Sequence, residues 1–239
     1  MDKPKMKTKI LYQLAIALLM LSASACTLIG LDLQEDHKHE VTLLSPEINM
    51  TALEFIKTPL EDTLRSFDRF HDAVKYAGLE EEYTRQKRTF FVFNNYAILR
   101  YNSDGTVNSN CYFARNPVPE LDENGKPILD EEGEPVTRPA RDWNDYPVDE
   151  VKSLLLYHIV KGEYSYHNLG PGNVSAESLS PLDTASTVYL KIENDRNSKL
   201  IVNDFQGSSR ITSARTSNLL ATNGYIHVFD NSLIDVHKQ

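Results

Sequence analysis

The sequence predicts an α+β fold. Apolar residues recur at helical spacing in Leu64, Phe67, Phe70, Val74 and Ala77, and again in Val151, Leu154 and Leu155. From Thr187 onward one β-rich segment follows another, and Asn223-Gly224 supplies a hairpin signal between the last two. Helices gathered before strands point to separate α and β layers rather than alternating βα units.

The chain opens on an address. Lys3, Lys5, Lys7 and Lys9 form a basic start, Ala15 to Leu21 an apolar run, and Ser22-Ala23-Ser24-Ala25 a small-residue end before Cys26. That layout is a signal peptide over 1–25, too short for a membrane span. A cysteine directly after it matches the lipid-attachment position of bacterial lipoproteins, although Ala23 stands where Leu is usual. Residues 26–52 then read as a lipidated tether. Gln34-Glu35-Asp36 loosely resembles an acidic surface-export signal, and His37 and His39 sit in a solvated polar run. The expected location is the cell envelope, anchored in the outer membrane through Cys26, with a soluble secreted protein as the alternative because Ala23-Ser24-Ala25 also fits ordinary secretion.

The folded part is expected over 53–236. Thr58-Pro59-Leu60-Glu61 predicts a helix start running to Gly78, with Ser66-Phe67-Asp68 as an alternative restart. Thr89 to Phe93 predicts a buried strand, and Asn94 to Leu99 a helical turn. Val148 to Tyr157 suits a helix, and Leu169 to Leu182 reads as a Gly/Pro/Ser-rich loop. Strands are expected over Thr187–Ile192, Leu200–Asn203, Arg210–Ala214, Asn218–Thr222 and Tyr225–Asp230.

Residues 102–147 differ in character: Pro117, Pro119, Pro127, Pro135, Pro139 and Pro147 mark an insertion of turns. Within it, Leu121-Asp122-Glu123-Asn124-Gly125-Lys126-Pro127-Ile128 is followed by Leu129-Asp130-Glu131-Glu132-Gly133-Glu134-Pro135-Val136. A period of eight with glycine at a fixed place predicts two tandem hairpins. Deleting 104–145 is therefore expected to spare the rest of the fold.

Four segments resemble the fasciclin (FAS1) family. Arg69–Leu79 (RFHDAVKYAGL) is similar to its first helix, and Thr89–Leu99 (TFFVFNNYAIL) to its first signature block, with Phe93-Asn94 in place of Ala-Pro. Leu154–Tyr164 (LLLYHIVKGEY) resembles the central Tyr-His block; Leu200–Asn203 and Ala221–Ile234 (ATNGYIHVFDNSLI) resemble the closing one. The resemblance implies a wedge-like β-sandwich with flanking helices, no cofactor and no catalytic apparatus. It also implies an adhesion or ligand-binding role in which Tyr157 and His158 contact a partner.

Composition and motifs narrow the function. With 34 acidic against 25 basic residues the net charge is −9, which disfavours nucleic acid. Removing 1–25 takes away four lysines and Asp2 and leaves −12. Two cysteines, Cys26 and Cys111, make no disulfide scaffold, and acylation of Cys26 leaves Cys111 without a partner in its own chain. There is no Gly-x-Ser-x-Gly elbow and no phosphate-binding loop; Ser165 and His167 are too weak a pair to indicate catalysis. His158 and His227 lie in apolar company, the usual setting of a structural histidine. Glu120, Asp122, Asn124, Gly125 and Glu131 fall at calcium-loop positions, but Pro127 and the missing flanking helices favour an acidic hairpin. Tyr112, Phe113, Trp143 and Tyr146 bracket the insertion, either pinning it to the domain or forming a platform for protein or sugar. The expected function is a non-enzymatic module binding an extracellular protein or matrix, with glycan capture for a polysaccharide uptake system as the alternative.

Overall fold

The computed structural model describes residues 46–181, 186–193, 199–209 and 211–231. The signal peptide, Cys26, His37, His39, Arg210 and the end of the closing block lie outside them. Ordered chain begins before the expected boundary at residue 53. Ile48 N donates to Leu220 O at 3.0 Å, and Thr222 N donates to Met50 O at 2.9 Å. The first helix, α1 (Ala52–Lys57), is capped by Thr51, whose hydroxyl accepts from Glu54 N while the Glu54 carboxylate accepts from Thr51 N. Thr58, expected to open a helix, closes this one: its N–H donates to Phe55 O.

The restart at Ser66-Phe67-Asp68 is the one the chain uses, giving α2 (Asp68–Tyr76) with Phe70, Ala73 and Val74 inward. A 3-10 turn (Glu82–Thr84) leads to β1 (Arg88–Phe93), and α3 (Asn95–Ile98) follows it. The insertion holds α4 (Tyr112–Arg115), β2 (Val118–Pro119), β3 (Thr137–Arg138) and a 3-10 turn over Trp143–Asp145. Then come α5 (Val148–Tyr157), β4 (Ile159–Lys161), β5 (Val174–Glu177), β6 (Thr187–Ile192), β7 (Leu200–Val202), β8 (Thr212–Ser213), β9 (Thr216–Ala221) and β10 (Gly224–Phe229).

β5 lies in the stretch expected to be loop. Its alternation is short, with Ala176 the one fully buried side chain, and Gly170, Pro171 and Gly172 just before it hide the strand in the composition.

Two four-stranded sheets result among the described residues, ordered β4-β1-β10-β9 and β5-β6-β7-β8. β1 and β10 run parallel, pairing Phe91 with His227 and Phe93 with Phe229. The two ends of the folded chain therefore build one sheet, because parallel neighbours require a long crossover between them. Phe90, Phe91, Val92 and Phe93 are all fully buried, so β1 is covered on both faces. Gly224 is required where β10 starts: its φ is +149°, and a Cβ there would lie 1.9 Å from Arg88 O.

Candidate functional site

The aromatic residues at the ends of the insertion form a plug. Tyr112, Phe113, Trp143 and Tyr146 are 7%, 0%, 2% and 9% exposed. Phe113 meets Trp143 edge-on at 5.0 Å between ring centres, and Tyr112 lies 5.6 Å from the same indole. Trp143 Nε1 donates to Arg69 O at 2.7 Å, Tyr146 Oη to Asn116 O at 2.5 Å, and Tyr76 Oη to Tyr146 O at 2.9 Å. Below the plug, Arg138 grips Asp145 with two N–H groups at 3.0 and 3.1 Å, the bidentate geometry that suits guanidinium and carboxylate. The rings sit in the continuous core with Phe70, Leu154 and Phe229. Tyr112, Trp143 and Tyr146 thus pin the insertion, and no ring face is left for a ligand to stack on. Deleting 104–145 would consequently cut into the core.

Beyond this plug the chain projects two hairpins. Leu121 bridges Pro127, and Leu129 bridges Pro135. Asp122 Oδ1 accepts from Asn124 N and Lys126 N, both at 2.8 Å; Asp130 Oδ1 accepts from Glu132 N at 3.0 Å and Glu134 N at 2.8 Å. These carboxylates organise their own turns, and Gly125 and Gly133 supply the positive φ at 76° and 88°. Each proline occupies a pair whose N–H would not join the ladder, so its missing donor costs nothing.

A ring of three bonds joins the arms at intervals of eight residues. Glu120 N donates to Val136 O, Ile128 N to Glu120 O, and Val136 N to Ile128 O, each at 2.8 Å. A third copy of the turn, invisible as a repeat because twelve and more residues separate it, precedes these two. Tyr101 bridges Val107, Asn102 N donates to Thr106 O at 2.8 Å, and Gly105 has φ 84°.

The Tyr-His block lies inside the molecule. Tyr157 and His158 are 1% and 0% exposed. Asn203 Nδ2 donates to Tyr157 Oη at 2.6 Å, and Asn203 Oδ1 accepts from Tyr189 N at 3.0 Å, tying α5 to the second sheet. His158 Nδ1 lies 2.8 Å from Leu154 O, so Nδ1 carries the proton and Nε2 is left without a partner. The ring packs edge-on against Phe93 at 4.7 Å. His227 Nε2 donates to Tyr164 O at 3.0 Å while Nδ1 accepts from Asn218 N at 3.2 Å, at a point where the β9–β10 register shifts. Burial pushes both imidazoles down to about 4, with the carbonyl bonds opposing it only in part. Both are neutral at physiological pH.

Residues 139–235 match the Fasciclin domain family. The matched stretch takes in the central Tyr-His block and the described part of the closing one. The match begins beside Ala140, where the insertion returns to the core. Among solved structures, a FAS1 domain pair from the insect cell adhesion molecule fasciclin I is similar at 14% identity and a TM-score of 0.45, covering 77% of this chain and 50% of that one. The chain thus spans half the length of that structure. No curated protein matches the sequence.

The remaining candidates have structural surroundings. Ser165 is buried and its hydroxyl accepts from His167 N at 3.2 Å, a turn bond rather than a nucleophile–base contact. Cys111 is a buried free thiol bonded to Asn108 O at 3.0 Å. Glu120 and Glu131 of the calcium-like spacing belong to different arms of the hairpin junction. Among the described residues no three His, Cys, Asp or Glu side chains converge as a metal site.

Sequence reading missed Asn95 and Asn223. Asn95 Oδ1 accepts from Arg69 N at 3.0 Å while Nδ2 donates to Thr63 O and Ser66 Oγ, both at 2.8 Å. Asn223, taken as a turn residue, accepts from Ala52 N at 2.9 Å and donates to Tyr83 O at 2.9 Å and Arg85 O at 3.1 Å. An asparagine beside apolar blocks was the signal available for both.

Proposed function

We propose that this chain is a fasciclin-type, non-enzymatic binding module, tethered to the cell envelope by lipid on Cys26, that recognises an extracellular protein or matrix partner through the paired hairpins 120–136. The observation that carries the reading is the mounting of those hairpins. They are closed by their own backbone bonds, stand on a buried aromatic plug, and expose Leu121 and Leu129 at 53% and 58%. Exposed apolar groups on a preorganised loop lose little entropy on binding. Residues 120–136 also hold seven carboxylates against Lys126 alone, which favours a partner with a basic rim.

Replacing 120–136 by an Asn-Gly turn joins β2 directly to β3 and leaves the plug whole. The expected result is an unchanged thermal midpoint, within about 4 °C for a change under 1 kcal/mol, with capture of the partner from intact cells abolished. Full capture by the shortened chain would sink the hairpin as the recognition element. The alternative of sugar stacking on Trp143 and Tyr146 has no exposed ring there to support it.

A further inference from the structure

The outer face of the second sheet carries an aromatic pair that the core does not use. Along β6 the side chains alternate, with Val188 and Leu190 fully buried and Thr187, Tyr189 and Lys191 turned outward. Tyr189 meets Phe205 at 5.1 Å between ring centres with 66° between the planes, and the two are 37% and 44% exposed. Rings so arranged form a corner rather than a flat stack. The corner is held from several sides. Buried Asn203 takes a left-handed φ of 58°, accepts from Tyr189 N at 3.0 Å through Oδ1, and donates its own N–H to Tyr189 O at 2.7 Å. This turn brings Phe205 back onto Tyr189, and Phe205 N donates to Asn203 O at 3.2 Å. Asp204, between them in the chain, is fixed twice: its carboxylate pairs with Lys191 at 2.6 Å, and its carbonyl accepts from Asn173 Nδ2 at 2.9 Å. Exposed apolar rings in a preset position mark a contact surface, since binding them costs little conformational entropy.

We propose that this corner binds a neutral β-linked glucan. Sugars with equatorial hydroxyls present C–H groups on their ring faces, which pack on the face of one aromatic ring and abut the edge of the other. Groups suited to the hydroxyls lie around the rings. Ser175, exposed and directly opposite Tyr189 on β5, both donates and accepts, and the Asp204 carboxylate, 38% exposed as a side chain, accepts. The ligand is neutral because the charges of this face are matched in pairs, Lys191 with Asp204 and Glu177 with Lys161, on a chain whose overall charge is acidic. The corner shares no residue with the paired hairpins 120–136, so sugar binding here is independent of the partner recognised there.

Titration calorimetry on the purified full chain tests this with cellohexaose and, as the acidic comparison, hexagalacturonate. Cellohexaose is expected to bind about tenfold more tightly than hexagalacturonate. Phe205→Ala and Tyr189→Thr should each weaken cellohexaose about tenfold, whereas Tyr189→Phe, which keeps the ring, should stay within about twofold. The variant with 120–136 replaced should also bind within about twofold of the natural chain. Threonine preserves strand propensity at 189; if that variant fails to fold, Phe205→Ala decides, and its thermal midpoint should stay within about 4 °C. No binding of cellohexaose, equal binding of the two oligosaccharides, unchanged affinity in Phe205→Ala, or loss of binding on hairpin replacement would each overturn the proposal. Loss of partner capture from intact cells in Phe205→Ala, with no sugar bound by the natural chain, would overturn it too and give the corner to a protein.

Discussion

Asn95, Asn203 and Asn223 each fasten two or three segments that are distant in sequence, because one amide offers both donors and acceptors to backbone groups that helices and strands leave over. His227 performs a related task at the β9–β10 irregularity, where its ring replaces ladder bonds. Such residues look polar and chemically capable in a sequence, yet their hydrogen bonds are consumed internally. For the histidines this has a measurable consequence. Both titrate near 6.5 when exposed and near 4 in the folded chain, so the unfolded chain binds more protons between those values. The stability they contribute is complete above pH 6.5, falls as the pH drops, and levels off below about 4. Each histidine adds a slope of up to about 1.4 kcal/mol per pH unit in that window. His158→Asn retains a donor for Leu154 O and removes one titration. Urea unfolding at pH 7 and pH 5 should then show a pH dependence reduced by about half of the histidine share; an undiminished dependence would contradict a buried neutral His158.

At the scale of elements, the late strands and α5 were legible because their apolar residues follow a regular period and their ends carry turn residues. The start of α1 was not. Thr51-x-x-Glu54 and Thr58-x-x-Glu61 are both capping patterns, and the choice between them depends on Asn223 and β9, which lie far away in the chain. β5 was hidden for a similar reason, since a four-residue edge strand beside Gly170 and Gly172 gains its identity from pairing with β6. The insertion was legible in part: the eight-residue repeat revealed the two arms, but not the three-bond ring that closes them or the earlier copy at Tyr101–Val107. Its aromatic ends illustrate how burial decides a role. Trp143→Ala should destabilise the domain by about 3–5 kcal/mol, as removal of a buried indole does. A loss below about 1 kcal/mol in urea unfolding would show that the ring is not part of the core.

For the whole molecule, the acidic charge and the cysteine following Ala25 define the anchoring proposal, since a chain of net −12 after processing has no electrostatic attraction to anionic lipid. Among the described residues no helix is long and apolar enough to cross a membrane. Cys26→Ala should therefore move the protein from the membrane fraction to the soluble fraction in cell fractionation; continued sedimentation with membranes would count against lipid attachment. Sequence alone determined the α+β class, the fasciclin resemblance, the insertion and its repeat, because periodicity, spacing and turn residues are local and survive in one dimension. Only the tertiary structure decided which polar and aromatic residues face solvent. Trp143, Tyr157 and His158 went into the core, while Tyr189 and Phe205 came together in an exposed corner. Burial and convergence depend on contacts between remote segments, and no local pattern records them.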